Sequence, residues 1–84
     1  GKVQMEVGDR FFYPAVLTVT VGTTVRWANV GNETHDVTAV DRSWGTAIVS
    51  VAGYFEYTFA HEGTLDYLCV QHPSDMRGTI IVIR

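Results

Sequence analysis

Three residues near the end of the chain, Cys69, His72 and Met76, place a thiol, an imidazole and a thioether within eight residues. Thiolate and thioether sulfur favour Cu(I) and other soft ions, whereas imidazole also binds Cu(II). The mixture therefore suits an ion that is held in both oxidation states. A second imidazole, that of His35, lies on an earlier predicted strand, and these four residues are our candidate ligands for one copper ion.

Each candidate has an ordinary structural interpretation when it is taken alone. A single free cysteine is most often a small buried apolar side chain, and a methionine beside a strand is most often a core filler. Their joint arrangement favours a metal, because Cys69, His72 and Met76 share one short loop and His35 comes from a distant strand. Two histidines, one cysteine and a weak axial methionine form a blue-copper electron-transfer site.

Composition limits the other classes of function. The 84 residues suffice for one small domain, residues 1–84, and a single cysteine excludes an internal disulfide. The formal charge of −3 argues against nucleic-acid binding, which needs a concentrated basic surface. No apolar run approaches the roughly 18 residues of a membrane span, so we expect none in this chain.

Catalysis by the same loop is not expected. His72, Ser74 and Asp75 contain the residue types of a hydrolase triad, but residues so close in one loop rarely converge, and no nucleophile elbow is present. A nucleophilic pair of Cys69 with His72 is disfavoured because catalytic partners usually come from separate elements. His61 lies in a predicted turn and is not expected to be a ligand.

Short β-rich runs with turn residues about every eight to twelve positions predict an all-β sandwich or barrel of about seven to eight strands. Alternation places His35 on the same face as Val37 and Ala39, and it turns Cys69 inward at the end of its strand. Residues 41–46 are predicted to form a loop or a short irregular strand. The predicted strands span residues 2–7, 17–21, 24–29, 35–39, 48–51, 54–59, 64–69 and 78–83.

The order of several motifs resembles the cupredoxins, the small blue copper proteins, of the plastocyanin, amicyanin and pseudoazurin type. The resemblance covers nearly the whole chain and implies a Greek-key β-sandwich. The matching segments are FYP at 12–14, LTV at 17–19, GTTVRWAN at 22–29, THDV at 34–37, GYFEYTF at 53–59, residues 63–69 and MRGT at 76–79.

The resemblance also implies a role for each candidate ligand. His35, Cys69 and His72 would be the equatorial ligands, and Met76 the long axial one. The three residues between His72 and Met76 are one more than in amicyanin and one fewer than in plastocyanin. Asp36 stands where these relatives have an asparagine that ties the two ligand loops together, and a carboxylate can accept that hydrogen bond but not donate it.

The function implied by the resemblance is that of a one-electron carrier with one copper ion, not of an enzyme. His72 would be the port for the electron, within an apolar patch that includes Val70, Pro73 and either Phe12 or Val30. We expect redox proteins, such as a cytochrome or a copper- or quinone-linked enzyme, to dock near His72. We also expect a monomer in an extracytoplasmic compartment, such as the periplasm, an extracellular-facing space or the thylakoid lumen.

Three alternatives remain open from the sequence. The first is a copper-binding or copper-delivery protein of the same fold. The second is an excised cupredoxin domain of a larger copper oxidase or of a membrane-anchored redox protein. The third is a metal-free β-sandwich used for binding only, which the complete ligand set disfavours.

Overall fold

The computed structural model describes the backbone of residues 1–84 and every side chain except that of Thr46. Its strands are β1 (Lys2–Val7), β2 (Phe12–Tyr13), β3 (Val16–Thr20), β4 (Thr24–Asn29), β5 (His35–Ala39), β6 (Gly45–Val49), β7 (Tyr54–Thr58), β8 (Gly63–Leu68) and β9 (Arg77–Ile83). The all-β prediction is confirmed, and the count exceeds eight because of β2, which has only two residues. Among the described residues, no helix is long and apolar enough to cross a membrane.

The strands form two sheets. One has the order β2-β1-β4-β7 and the other has the order β3-β9-β8-β5-β6. Strand pairs β1–β4 and β3–β9 are parallel, and the other neighbours are antiparallel. Because β8 is antiparallel to both β5 and β9, the end of β8 and the starts of β5 and β9 lie at the same end of the five-stranded sheet.

Alternating side chains fill the core between the sheets. Val25, Trp27 and Asn29 of β4 are buried, as the alternation predicted. The indole of Trp27 packs against Phe55 at 5.6 Å and against Tyr67 at 5.5 Å between ring centroids. Aromatic pairs at such separations add to the stabilisation from burial alone, so Trp27 joins its own sheet to β8 of the other.

The boundaries of β6 differ from the prediction. The strand takes in Gly45 and Thr46, which we assigned to a loop or short irregular strand, and it ends at Val49 instead of Val51. Gly45 has a φ of 78°, and a Cβ there would lie 2.8 Å from the carbonyl oxygen of Val37. Glycine is therefore required for a close strand approach at this position, whereas the sequence pattern treated it as a turn former.

Glu56 of β7 joins three neighbouring strands of the four-stranded sheet. Its Oε2 accepts hydrogen bonds from Lys2 Nζ at 3.0 Å and from Arg26 Nε at 2.7 Å. Lys2 and then Arg26 hold the pKa of Glu56 below its usual value of 4.5. The carboxylate therefore stabilises the fold while it is ionised.

The pH dependence of stability tests this contribution. Because the folded-state pKa of Glu56 is lowered, its contribution is present above about pH 4.5 and is lost as the pH falls through the folded pKa. We expect the gap in urea midpoint between wild type and Glu56→Gln to shrink between about pH 6 and about pH 3. Glu62→Gln, which removes an exposed pair with Arg84, is the control. A constant gap for Glu56→Gln would contradict the prediction.

Two isoleucines provide a matched test of the core. Ile80 of β9 is 0% exposed and Ile48 of β6 is 68% exposed. We expect Ile80→Ala to lower the free energy of unfolding by about 2–5 kcal/mol, since it leaves a cavity. Ile48→Ala should cost less than about 1 kcal/mol, the range of strand propensity. Guanidinium unfolding of the metal-free protein measures both, and similar losses for the two variants would refute the assignment of the core.

Candidate metal centre

Strand pairing brings the four candidate ligands to one end of the five-stranded sheet. Leu68, the last residue of β8, pairs with both β5 and β9. Cys69 follows Leu68 directly, Met76 directly precedes β9, and His35 is the first residue of β5. Three strand ends and one connecting loop therefore supply all four side chains.

The predicted ligands differ in their exposure. The Sγ atom of Cys69 lies 3.8 Å from Nδ1 of His35, and both residues are 0% exposed, as is Met76. The ring centroids of His35 and His72 are 5.9 Å apart, and the side chain of His72 is 28% exposed. His61, which we excluded as a ligand, is exposed in the turn before β8.

Backbone hydrogen bonds link the three ligands on the loop to one another. The amide of His72 donates to the carbonyl oxygen of Cys69 at 3.1 Å, and the amide of Met76 donates to the carbonyl oxygen of His72 at 2.9 Å. The amide of Cys69 in turn donates to the carbonyl oxygen of Met76 at 3.0 Å. The loop is therefore closed on itself, and its thiol, imidazole and thioether fit a soft or borderline metal ion such as copper.

Asp36 ties the segment that carries His35 to the loop that carries Cys69, His72 and Met76. Both of its carboxylate oxygens accept the amide hydrogen of Val70 at 3.0 Å, and Oδ2 accepts the hydroxyl hydrogen of Thr38 at 2.6 Å. Oδ1 also lies 3.1 Å from Sγ of Cys69, where the thiol donates. The carboxylate thus makes the tie between the loops entirely as an acceptor.

The thiol of Cys69 is kept protonated in the metal-free protein. Burial raises the pKa of Cys69, and the side chain of Asp36 adds to this effect. Since the thiolate is the form that binds metals, a cation bound at Cys69 would displace the thiol proton. It would also offset the repulsion between the resulting thiolate and the nearby carboxylate of Asp36.

The apolar side chains that we predicted around His72 are exposed with one exception, and the carboxylate of Glu33 also lies there, 3.5 Å from Nε2 of His72. Val70 and Val30 are 52% and 57% exposed, and Pro73 is exposed as well. Phe12, which we considered for this surface, is only 3% exposed because β2 turns it towards the ring of Tyr67. Phe12 therefore belongs to the core and not to the surface.

Sequence reasoning missed the turn between β1 and β2. Oδ1 of Asp9 lies 3.0 Å from Nε2 of His35, and the ligand atoms of Asp9, Glu33 and His35 lie within 4.8 Å of one another. Arg10 forms an ion pair of 2.7 Å with Asp75 of the ligand loop. The pair Gly8-Asp9 reads as an ordinary turn, and no spacing rule connects it with a histidine 26 residues later.

Asp36 can be tested in the metal-free protein. Asp36→Ala leaves the buried hydroxyl of Thr38 without its acceptor, which costs about 1–3 kcal/mol, and it also removes the acceptor of the Val70 amide, which is only partly buried. We expect a loss in this range from urea unfolding, with a smaller loss for Asp36→Asn, which keeps an acceptor oxygen. The matched control is Asp66→Ala, because Asp66 also accepts a threonine hydroxyl, at 2.8 Å, but is exposed. Equal losses in the two alanine variants would contradict the tie.

Comparison with known sequences identifies one curated relative. The chain is 31% identical to amicyanin of Paracoccus denitrificans over an alignment of 87 positions, which covers 98% of this chain and 66% of amicyanin. The chain therefore spans just under two thirds of the length of this relative. No protein-family model matches the sequence.

Solved structures resemble the whole chain. A purple cupredoxin from Nitrosopumilus maritimus matches with a TM-score of 0.84 and 26% identity, over 95% of this chain and 98% of that one. A reduced Cu(I) form of an amicyanin variant matches with a TM-score of 0.88 and 29% identity, over 98% of this chain and 82% of the amicyanin chain. A copper-containing nitrite reductase from Thermus scotoductus matches with a TM-score of 0.88 and 28% identity, over 98% of this chain but only 22% of the enzyme. In sequence, strand arrangement and structural likeness, the chain belongs to the cupredoxins.

Proposed function

We propose that this chain is a mononuclear blue (type 1) copper protein that carries one electron at a time between redox partners, and is not an enzyme. The observation that carries the proposal is the approach of Cys69 Sγ to His35 Nδ1 at 3.8 Å, at the sheet end that also holds His72 and Met76. Membership in the cupredoxins supports it. The likeness to amicyanin, at 31% identity over 98% of this chain, and to a purple cupredoxin supports a carrier as well.

The four side chains would share one copper ion. His35, Cys69 and His72 are the proposed equatorial ligands, and the thioether of Met76 is the proposed weak axial ligand. When bound, copper supplies a one-electron couple between Cu(I) and Cu(II). The loop hydrogen bonds and the β5–β8 pairing hold the backbone at the four residues in one arrangement, which would limit the movement of the ligands between the two oxidation states.

His72 is the proposed port for the electron. Its side chain is 28% exposed, whereas His35, Cys69 and Met76 are each 0% exposed. A partner can therefore approach the metal most closely through the imidazole of His72. The exposed apolar side chains of Val70 and Val30 suit a short-lived contact with a redox protein, such as a cytochrome or a copper- or quinone-linked enzyme.

The cellular setting follows from the same proposal. We place the protein in an extracytoplasmic compartment, as the family resemblance implies. It would work there as a monomer, since a carrier must leave one partner before it reaches the next.

Addition of one equivalent of Cu(II) to the metal-free protein tests the copper site. We expect an intense visible absorption band from thiolate-to-copper charge transfer, because the proposed ligands include a thiolate. The band should be lost in Cys69→Ser and kept in His61→Ala, which removes an exposed histidine outside the site. A correctly folded wild-type protein without this band would refute the blue-copper proposal.

Voltammetry then separates a carrier from a copper-delivery protein. A carrier keeps its copper through repeated reduction and oxidation in the presence of a Cu(I) chelator. Transfer of the copper to the chelator upon reduction would instead indicate delivery.

A further inference from the structure

The turn between β1 and β2 reaches the proposed copper site from the four-stranded sheet. The amide of Gly8 donates to the carbonyl oxygen of Phe11 at 2.9 Å, which closes the turn. Asp9 lies within this turn, and its Oδ1 is 3.0 Å from Nε2 of His35. The imidazole of His35 is 0% exposed, and this carboxylate meets the ring nitrogen other than Nδ1, which lies nearest to Cys69 Sγ.

The hydrogen bond defines the tautomer of His35. A carboxylate only accepts, so Nε2 carries the hydrogen and donates it to Asp9. The other ring nitrogen, Nδ1, then presents its lone pair on the side of Cys69, whose Sγ is 3.8 Å away. In its neutral form, the ring is therefore oriented for metal binding before any ion arrives.

The carboxylate of Asp9 is itself held in place. Oδ1 accepts the amide hydrogens of Asn32 at 2.9 Å and Glu33 at 3.1 Å, in addition to the bond from His35. The bond from His35 and these amides hold the pKa of Asp9 below its usual value. A Cβ at Gly31 would collide with the Asp9 carboxylate, so glycine at this position permits the approach.

We propose that Asp9 is a positioning residue for the copper site, which fixes the tautomer and orientation of His35 and favours Cu(II) over Cu(I). This inference rests on the proposed function. A carboxylate bound to the far nitrogen raises the basicity of a ligand imidazole. Its negative charge also stabilises the more highly charged ion, and both effects lower the reduction potential.

The second ligand histidine has a much weaker partner. Nε2 of His72 lies 3.5 Å from Oε1 of Glu33, whose side chain is 60% exposed. That distance is at the limit of a hydrogen bond, and water screens an exposed pair. Of the two carboxylates that meet a proposed histidine ligand, Asp9, at 3.0 Å and with a side chain 35% exposed, therefore acts more strongly on the site.

Two substitutions at Asp9 separate its charge from its hydrogen bond. Asp9→Asn keeps an acceptor oxygen and removes the charge, so we expect the ratio of Cu(I) to Cu(II) at a fixed potential to rise about tenfold, or ~59 mV for one electron. Asp9→Ala removes both, and we expect its Cu(II) affinity to fall about 10–100-fold. Asp41→Asn is the matched control, because Asp41 also accepts a backbone amide in an exposed turn, from Ser43.

Nuclear magnetic resonance of the metal-free protein gives a readout that does not need copper. We expect a slowly exchanging proton on Nε2 of His35 in wild type and in Asp9→Asn, and its loss in Asp9→Ala. Gly31→Ala should also lose it, because the added Cβ displaces the carboxylate without changing Asp9 itself. This variant guards against a folding defect that is peculiar to the Asp9 substitutions.

The two proposals fail separately. A folded wild type with no thiolate-to-copper band contradicts the copper proposal, and the Nε2 proton still reports whether Asp9 fixes the ring. The role of Asp9 alone is overturned by a different set of results. In that case the thiolate-to-copper band is normal, Asp9→Asn has the wild-type reduction potential, and Asp9→Ala has the wild-type Cu(II) affinity. A His35 proton on Nδ1 in the metal-free wild type overturns it as well.

Discussion

The pairing register of β8 is the constraint on which the metal end of the molecule depends. Side chains alternate along a strand, so a shift of one residue would turn Cys69 away from the core. Tyr67 anchors the register, because its buried ring packs against Trp27 and faces Gly78 on the paired strand β9. A Cβ at Gly78 would collide with the Tyr67 ring. The core aromatic residues thereby determine where the thiol lies.

The sequence was sufficient to predict the fold class, the proposed ligand set and the place of Asp36 between the ligand segments, but not the contact of Asp9 with His35. Cys69, His72 and Met76 share a short loop, and alternation in β5 turns His35 inward, so local patterns carry this information. Asp9 meets His35 only because β1 and β4 pair in parallel and bring their ends to the same side. That placement is a property of the assembled sheets and leaves no local spacing signal.

Three carboxylates surround a site built from soft and neutral donors. The less exposed a carboxylate is, the more strongly its charge interacts with the site. Asp36 is 6% exposed and lies 3.1 Å from the sulfur of Cys69. Asp9 is partly exposed, and Glu33 is the most exposed of the three. Because charges interact more strongly where water is excluded, Asp36 and, to a lesser degree, Asp9 would act on an ion at the proposed site, whereas Glu33 would act on molecules that approach His72.

The contacts of the β1–β2 turn have a consequence for protein engineering. The ligand loop is an attractive segment to move between related scaffolds, since it carries three of the four proposed ligands. In this protein, however, Arg10 contacts the loop through Asp75, and Asp9 of the same turn orients His35 on a different strand. A graft of the loop alone would transfer the donor atoms without these supports, so the recipient would acquire a copper site with different redox behaviour.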